Sequence, residues 1–194
     1  RRRATPTLPR RLSGLVNAAK HGRGNSAGQK NLGPSGGTLV IIREDLLARS
    51  RKSLPTMLNY SVQAENGSMY NTPPTFAGYT LGLVMQWLSA QRGVPAIAQL
   101  NQRKAAKLYA EIDRTGFYRG TAQKDCRSLM NVTFRLPTED LEKMFVKEST
   151  VAGLDGLKGH RSVGGMRASL YNAFPEAGID PLAALSREFE GKRG

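Results

Sequence analysis

The segment from Gly159 to Ser169 has the residue types of a site that receives an anion. Its charged or imidazole side chains are His160, Arg161 and Arg167, which stand among three glycines with no acid between them. Glycine lets a backbone approach a ligand closely, and a guanidinium can grip a carboxylate or phosphate through two parallel hydrogen bonds. An imidazole can donate to a phosphate as well. A basic loop on a solvated surface is the alternative, but this spacing favours an anion site.

Lys30 is a second residue that could do chemistry. It follows Gly28 and Gln29 and precedes an Asn-Leu-Gly-Pro segment that leads into an apolar run. A lysine amine can condense with an aldehyde, although on spacing alone a solvated loop lysine is the commoner interpretation. A nucleotide-binding P-loop is excluded, because Gln29 separates Gly28 from Lys30 and the glycines precede the predicted strand.

Asn71 and Thr72 form a polar turn just before Pro73-Pro74 and a predicted helix. An amide, a hydroxyl and free backbone N–H groups near a helix N-terminus together suit a phosphate. On the pattern alone, an ordinary Asx-turn leading into the helix is the alternative interpretation.

The elements that must position these residues alternate between strand and helix, which predicts an α/β protein. A buried strand is expected at Thr38–Arg43, a brief helix from Glu44, and an irregular connection over 50–74. Further predictions are helices at Thr75–Trp87, Pro95–Asp113 and Pro137–Leu154, a strand at Asn131–Leu136, and a last helix with Asp180 as N-cap and Pro181 at its first position. The large aromatic residues are predicted to lie in the core: Tyr79, Trp87, Phe117, Tyr118, Phe145 and Phe174.

Composition narrows the class of protein. Of 194 residues, 39% are hydrophobic and 23% charged, which is typical of a folded soluble domain. The single Cys126 excludes an intrachain disulfide and fits a reducing cytosol. No apolar run is long enough to span a bilayer, and two histidines with one cysteine give no metal-ligand spacing.

The net charge of +14 is unevenly distributed. The first 29 residues contribute seven Lys and Arg side chains and no acid. We therefore expect residues 1–27 to be a basic segment that is disordered or foreign to the rest of the chain. The remainder is only moderately basic, as suits a protein whose ligands carry phosphate and carboxylate groups.

Taken together, the motifs Gln29-Lys30-Asn31, Asn71-Thr72-Pro73-Pro74 and His160-Arg161 with Arg167 resemble one family, phosphoserine aminotransferase. The resemblance runs from about residue 28 to the C-terminus, and this part of the chain is similar to the C-terminal half of that enzyme. It implies the C-terminal part of a fold-type I transferase dependent on pyridoxal 5′-phosphate. Residues 28–94 would be the end of the large cofactor domain and residues 95–194 the small C-terminal α/β domain.

The resemblance also implies roles for individual residues. Lys30 would be the catalytic Schiff-base lysine, with Gln29 beside it on the cofactor. Asn71 and Thr72 would reach the cofactor phosphate of the other subunit in a homodimer. Arg167 would bind the substrate carboxylate, and His160 with Arg161 the substrate phosphate.

The implied reaction is amino transfer between glutamate and 3-phosphohydroxypyruvate, which gives phosphoserine and 2-oxoglutarate, in the cytoplasm. The family also acts in many bacteria on a related phosphorylated oxo acid of pyridoxine biosynthesis. Two alternatives stay open. The chain could act only in binding or dimer assembly, without catalysis, or it could be a basic nucleic-acid-binding protein, an interpretation that rests on Arg1–Arg23 alone.

Overall fold

The computed structural model describes residues 23–27, for which only the backbone is considered, and residues 31–194. The chain divides into two compact units, one reaching to Trp87 and the other running from Leu88 to Gly194. The predicted domain boundary at 94/95 stays a prediction. Among the described residues, no helix has the length and apolar character needed to cross a membrane.

The first unit begins with an antiparallel pair of strands. β1 (Arg23–Ala27) pairs with β2 (Thr38–Ile42), so that Arg23 lies opposite Ile42 and Ala27 opposite Thr38. Strand β2 confirms the strand predicted at Thr38–Arg43. Residues 23–27 belong to the segment that was expected to be disordered, but they form β1. The rest of the basic segment, residues 1–22, lies outside the described residues.

Three helices follow: α1 (Glu44–Leu47), α2 (Tyr60–Glu65) and α3 (Thr75–Ala90), with a 3₁₀ turn at Thr56–Leu58; the boundary between the units falls near the end of α3. Helix α2 lies in the connection that was predicted to be irregular. Its N-cap Asn59 explains the helix, because the Asn59 side-chain oxygen accepts the amide N–H of Ser61 at 3.0 Å.

Two predictions of burial in this unit are wrong. Strand β2 is not buried, since Leu39 and Ile41 are each 43% exposed. Tyr79 and Trp87 were expected in the core, but they are 66% and 36% exposed. Helix α3 is apolar around much of its circumference, so its sequence pattern does not say which face packs within the unit.

The second unit packs three α-helices and three strands around one core. Its elements in chain order are α4 (Gly93–Ile112), β3 (Arg119–Gly120), β4 (Asn131–Arg135), α5 (Glu139–Val151), β5 (Met166–Ser169) and α6 (Ile179–Arg193). The three strands form an antiparallel sheet in the order β3-β4-β5. Helices α4, α5 and the strand β4 confirm the predicted elements, with ends that differ by a few residues.

The two faces of this sheet differ in character because successive strand residues point to opposite sides. Val132 and Phe134 of β4 and Met166 and Ala168 of β5 are buried. They pack in the core against helix residues such as Leu108, Phe145 and Phe189. The alternate residues, which include Thr133, Arg135 and Arg167, form a half-buried polar face.

Helix α6 begins earlier than predicted. Its first residue is Ile179 and its N-cap is Gly178, so Asp180 is not the N-cap and instead places a carboxylate in the first turn. The reason is local: the 3₁₀ turn Glu176–Gly178 runs directly into the helix. Val151, the last residue of α5, is 84% exposed.

Candidate active site

The segment from Gly159 to Gly165, called the anion turn below, lies in the connection between helix α5 and strand β5 and ends where β5 begins. The Gly159 amide donates to the Gly165 carbonyl at 2.8 Å. The amides of Val163 and Gly164 both donate to the His160 carbonyl, at 2.9 and 2.8 Å. The backbone of His160–Gly164 is therefore closed into a compact loop from which the His160 and Arg161 side chains extend as exposed groups.

Glycines are required at both ends of the anion turn. A Cβ atom on Gly159 would stand 2.1 Å from the Gly164 carbonyl oxygen, which no side chain can tolerate. Gly164 and Gly165 have φ angles of 72° and 71°, in the left-handed region that other residues rarely adopt. The glycine spacing seen in the sequence is therefore a steric requirement of the turn.

The ring of His160 is oriented by Ser162. The His160 Nδ1 atom lies 2.7 Å from the Ser162 hydroxyl and 3.3 Å from the Ser162 amide nitrogen. Because the backbone N–H can only donate, Nδ1 acts as an acceptor, and the neutral ring carries its proton on Nε2. His160 thus presents an N–H donor on the side of the ring away from Ser162.

Arg167 lies two residues beyond the anion turn, in β5. Its amide donates to the Leu157 carbonyl at 2.8 Å, and its side chain lies on the polar face of the sheet. Its Nε atom is buried and has no hydrogen-bond partner among the described residues. A buried N–H normally finds a partner, so this atom is suited to receive a ligand oxygen.

A cleft beside the anion turn collects charged side chains from α5, β4 and the turn itself. It is lined by five basic or imidazole residues and two acids: Arg135, Lys143, Lys158, His160, Arg161, Glu139 and Glu142. Lys143 pairs with Asp140 at 2.8 Å, and Arg135 pairs with Glu142 at 3.2 Å. In the described part of the chain, Lys158 and Arg161 form no ion pair, so they remain available to an anion.

The structure thus brings His160 and Arg161 together in the cleft, whereas Arg167 does not line it and lies on the adjoining strand. Sequence reasoning missed Arg135, which contacts the anion turn. The only sequence signal for it is an arginine at a polar position of an alternating strand, followed seven residues later by Glu142.

In the first unit, Asn71 and Thr72 lie in an exposed turn ahead of α3. The Asn71 amide makes only long contacts, at 3.5 Å to the Thr72 carbonyl and 3.4 Å from the Gln63 amide. The loop that follows Lys30 packs near this turn, because a Cβ on Gly36 would stand 3.8 Å from Pro74 Cβ. Gln29 and Lys30 themselves lie outside the described residues.

Comparison with known proteins assigns the family. The family described as Aminotransferase class-V matches residues 25–182. The chain belongs to the class-V aminotransferase family. The match begins inside the segment that was expected to be foreign to it.

Named class-V aminotransferases are similar over most of this chain. A phosphoserine aminotransferase of Herpetosiphon aurantiacus is 53% identical over 178 residues, which cover 91% of this chain and 49% of the relative. The alignment omits fewer than 27 residues of this chain. It therefore includes part of the basic segment 1–27 and begins before residue 28. The chain spans about half the length of the curated relatives it matches.

Solved structures confirm the predicted fold class, a fold-type I transferase. A phosphoserine aminotransferase from Bacillus circulans subsp. alkalophilus superimposes with a TM-score of 0.87 at 49% identity, covering 91% of this chain and 49% of that one. The enzyme from Trichomonas vaginalis, solved with pyridoxal phosphate bound, gives 0.82 at 38% identity, covering 88% and 49%. Pyridoxal phosphate is the cofactor of this class of aminotransferases.

Proposed function

We propose that this chain acts in a phosphoserine aminotransferase, which transfers an amino group between L-glutamate and 3-phosphohydroxypyruvate to give O-phospho-L-serine and 2-oxoglutarate. The observation that supports this best is the anion turn, whose exposed His160 and Arg161 are followed by Arg167 with its unpartnered buried Nε. The similarity to named phosphoserine aminotransferases over about 90% of the chain supports the same reaction.

The substrate has two anionic ends, and the chain offers two sets of donors. His160 donates from Nε2 and Arg161 from its guanidinium, which suits the dianionic phosphate. Arg167 projects from the neighbouring strand, where its fork can bind the planar carboxylate in bidentate fashion. Two receptors on one turn and one strand would fix both ends of the substrate and so orient its α-carbon.

The residues present fit pyridoxal phosphate. Asn71 and Thr72 offer an exposed amide and hydroxyl immediately ahead of a 16-residue helix, a favourable place for the cofactor phosphate. When bound, the cofactor withdraws electrons from the substrate α-carbon. The Lys30 amine would hold the cofactor covalently and then accept the α-carbon proton at Nζ. Gln29 would contact the cofactor beside it.

We further propose that two copies of the chain associate in the cytoplasm, with Asn71 and Thr72 of one copy serving the cofactor phosphate of the other. The exposed position of this turn supports the proposal, since the hydrogen bonds of Asn71 within its own unit are long, at 3.4 and 3.5 Å.

The first test is covalent labelling of Lys30. The full chain would be mixed with pyridoxal phosphate, reduced with borohydride, digested and mapped by mass spectrometry. We expect one dominant adduct on Lys30, which disappears in Lys30→Arg, whereas Lys52→Arg, a change of an exposed loop lysine, leaves the labelling intact. Labelling scattered over surface lysines would contradict the proposed function.

A further inference from the structure

Arg135 is the last residue of β4, and its guanidinium reaches the anion turn from the polar face of the sheet. Its Nη2 atom donates to the Val163 carbonyl, in the middle of the turn. Its Nη1 atom lies 3.2 and 3.4 Å from the two carboxylate oxygens of Glu142. One planar group therefore connects the turn to helix α5.

The guanidinium also lies along the backbone of the two turn glycines. A Cβ on Gly164 would stand 3.1 Å from Arg135 Nη1, and a Cβ on Gly165 would stand 2.9 Å from Arg135 Cδ. The space that side chains would fill at these positions is thus occupied by Arg135. The glycines serve both the left-handed backbone and the close approach of this arginine.

Glu142 is itself held in place. It is buried, lies in the first turn of α5, and its Oε1 accepts the Leu136 amide at 3.4 Å. Helix α5 is capped by Thr138, whose hydroxyl accepts the Leu141 amide at 3.3 Å. The carboxylate that orients Arg135 is therefore fixed by the end of the same strand and by the start of the next helix.

These contacts leave Arg135 neutralised and engaged, unlike Arg161, which lines the same cleft and pairs with no described acid. We propose that Arg135 and Glu142 form a positioning pair that sets the anion turn so that His160 and Arg161 face a bound phosphate. This inference rests on the proposed function, and it deepens it by assigning the residues that preorganise the phosphate receptor.

Because Glu142 is negatively charged, the direction in which its removal changes phosphate affinity tests the proposal. If the cleft attracted phosphate by charge alone, removing an acid would strengthen binding of a dianion. If Glu142 acts through Arg135, the change Glu142→Gln weakens binding even though it removes a negative charge. Glu139→Gln is the matched control, because Glu139 lines the same cleft but is exposed and bonds to no part of the turn.

The experiment is calorimetric titration of the full chain with O-phospho-L-serine. We expect Glu142→Gln and Arg135→Gln to lower affinity by about tenfold, as for a small displacement of a binding group. Arg135→Lys should weaken binding similarly, since a lysine keeps the charge but cannot lie along two glycines and bridge two partners. Glu139→Gln should bind as well as the unmodified chain or slightly better.

A second readout guards against variants that merely fold poorly. Amide hydrogen exchange at Val163 and Gly164 should accelerate in Arg135→Lys and Glu142→Gln, while amides of the core strand residue Val132 keep their protection. Tighter binding by Glu142→Gln, or full affinity in Arg135→Lys, would overturn the positioning role. If Arg161→Ala does not weaken binding, or the unmodified chain does not bind O-phospho-L-serine, the proposed function itself fails.

Discussion

Thr133 and Arg167 lie directly opposite each other across strands β4 and β5. Residues in such a pair share one face of the sheet, which is the polar face in this protein. Met166 and Ala168, the neighbours of Arg167 in β5, are buried in the core. The Arg167 side chain therefore lies on the opposite face of the sheet, away from that core.

The first prediction concerns the role of Arg167. The change Arg167→Lys should lower the affinity of the chain for O-phospho-L-serine by about tenfold, because a lysine cannot form the bidentate contact with a carboxylate. Binding of O-phosphoethanolamine, which lacks the carboxylate, should hardly change. Calorimetric titration of both ligands measures the difference.

Arg161→Lys supplies the comparison for that prediction, because it should weaken both ligands through their common phosphate. An Arg167 variant that loses both ligands equally would contradict the assignment of Arg167 to the carboxylate.

The second prediction concerns Gly159. The change Gly159→Ala should abolish measurable phosphoserine binding and destabilise the fold by about 1–3 kcal/mol, because the new methyl group would overlap the Gly164 carbonyl. Gly191→Ala is the control: a Cβ there meets nothing within 4 Å in helix α6, and the helix should gain about 0.5–1 kcal/mol. Urea unfolding and ligand titration of both variants check it, and an undisturbed Gly159→Ala would contradict the steric argument.

The third prediction concerns Lys104, a fully buried lysine of α4. Its ammonium lies 2.7 Å from the Tyr171 carbonyl and 3.0 Å from the Phe174 carbonyl, in the connection between β5 and α6, and burial lowers the pKa of Lys104. Lys104→Met should cost about 3 kcal/mol in the free energy of unfolding, because buried carbonyls lose their donor. Denaturant titration measures this; Lys147→Met, at an exposed site of α5, should change little, and equal effects would refute the prediction.

The fourth prediction concerns the ion pair of Asp113 with Arg127. The two Arg127 amino groups lie 2.6 and 2.7 Å from the Asp113 carboxylate, and these hydrogen bonds hold the pKa of Asp113 below its ordinary value. Asp113→Asn should cost about 2 kcal/mol of stability at pH 7. Because the folded pKa is lowered, this contribution is complete above about pH 4, near the unfolded pKa, and is lost as pH falls through the folded pKa.

Unfolding free energies of the parent and Asp113→Asn, measured from pH 7 to pH 3, should therefore converge only at the acid end. Asp140→Asn removes an exposed partner of Lys143 and should show no measurable change at any pH. A difference for Asp113 that persists unchanged at pH 3 would be inconsistent with the assigned pair.

Much of the second unit could be predicted from local patterns. Alternation in Asn131–Arg135 and the apolar stripe of α4 predict a strand and a helix correctly, because each buries one face against the same core. Strand β5 was not predicted, since its four residues are too few for their alternation to stand out from a loop. The start of α6 was misplaced because the preceding 3₁₀ turn has no distinct sequence signal.

The residues of the candidate site were also predicted only in part from the sequence. His160, Arg161 and Arg167 could be predicted as site residues because their charges stand close together among glycines. Arg135 was not, because its contact with Val163 joins residues 28 positions apart and depends on the register of the sheet. Tyr79, Trp87 and Phe174 were assigned to the core from their apolar positions, but an apolar position gives no information about what packs on it, and they are 66%, 36% and 36% exposed.

The alternation along β5 also has an evolutionary consequence. Met166 and Ala168 maintain the core, while Arg167, between them, faces the polar side. If Arg167 binds substrate as proposed, selection can exchange it without disturbing the packing of its neighbours. Changes at single positions on this face would then alter substrate preference while the core stays intact.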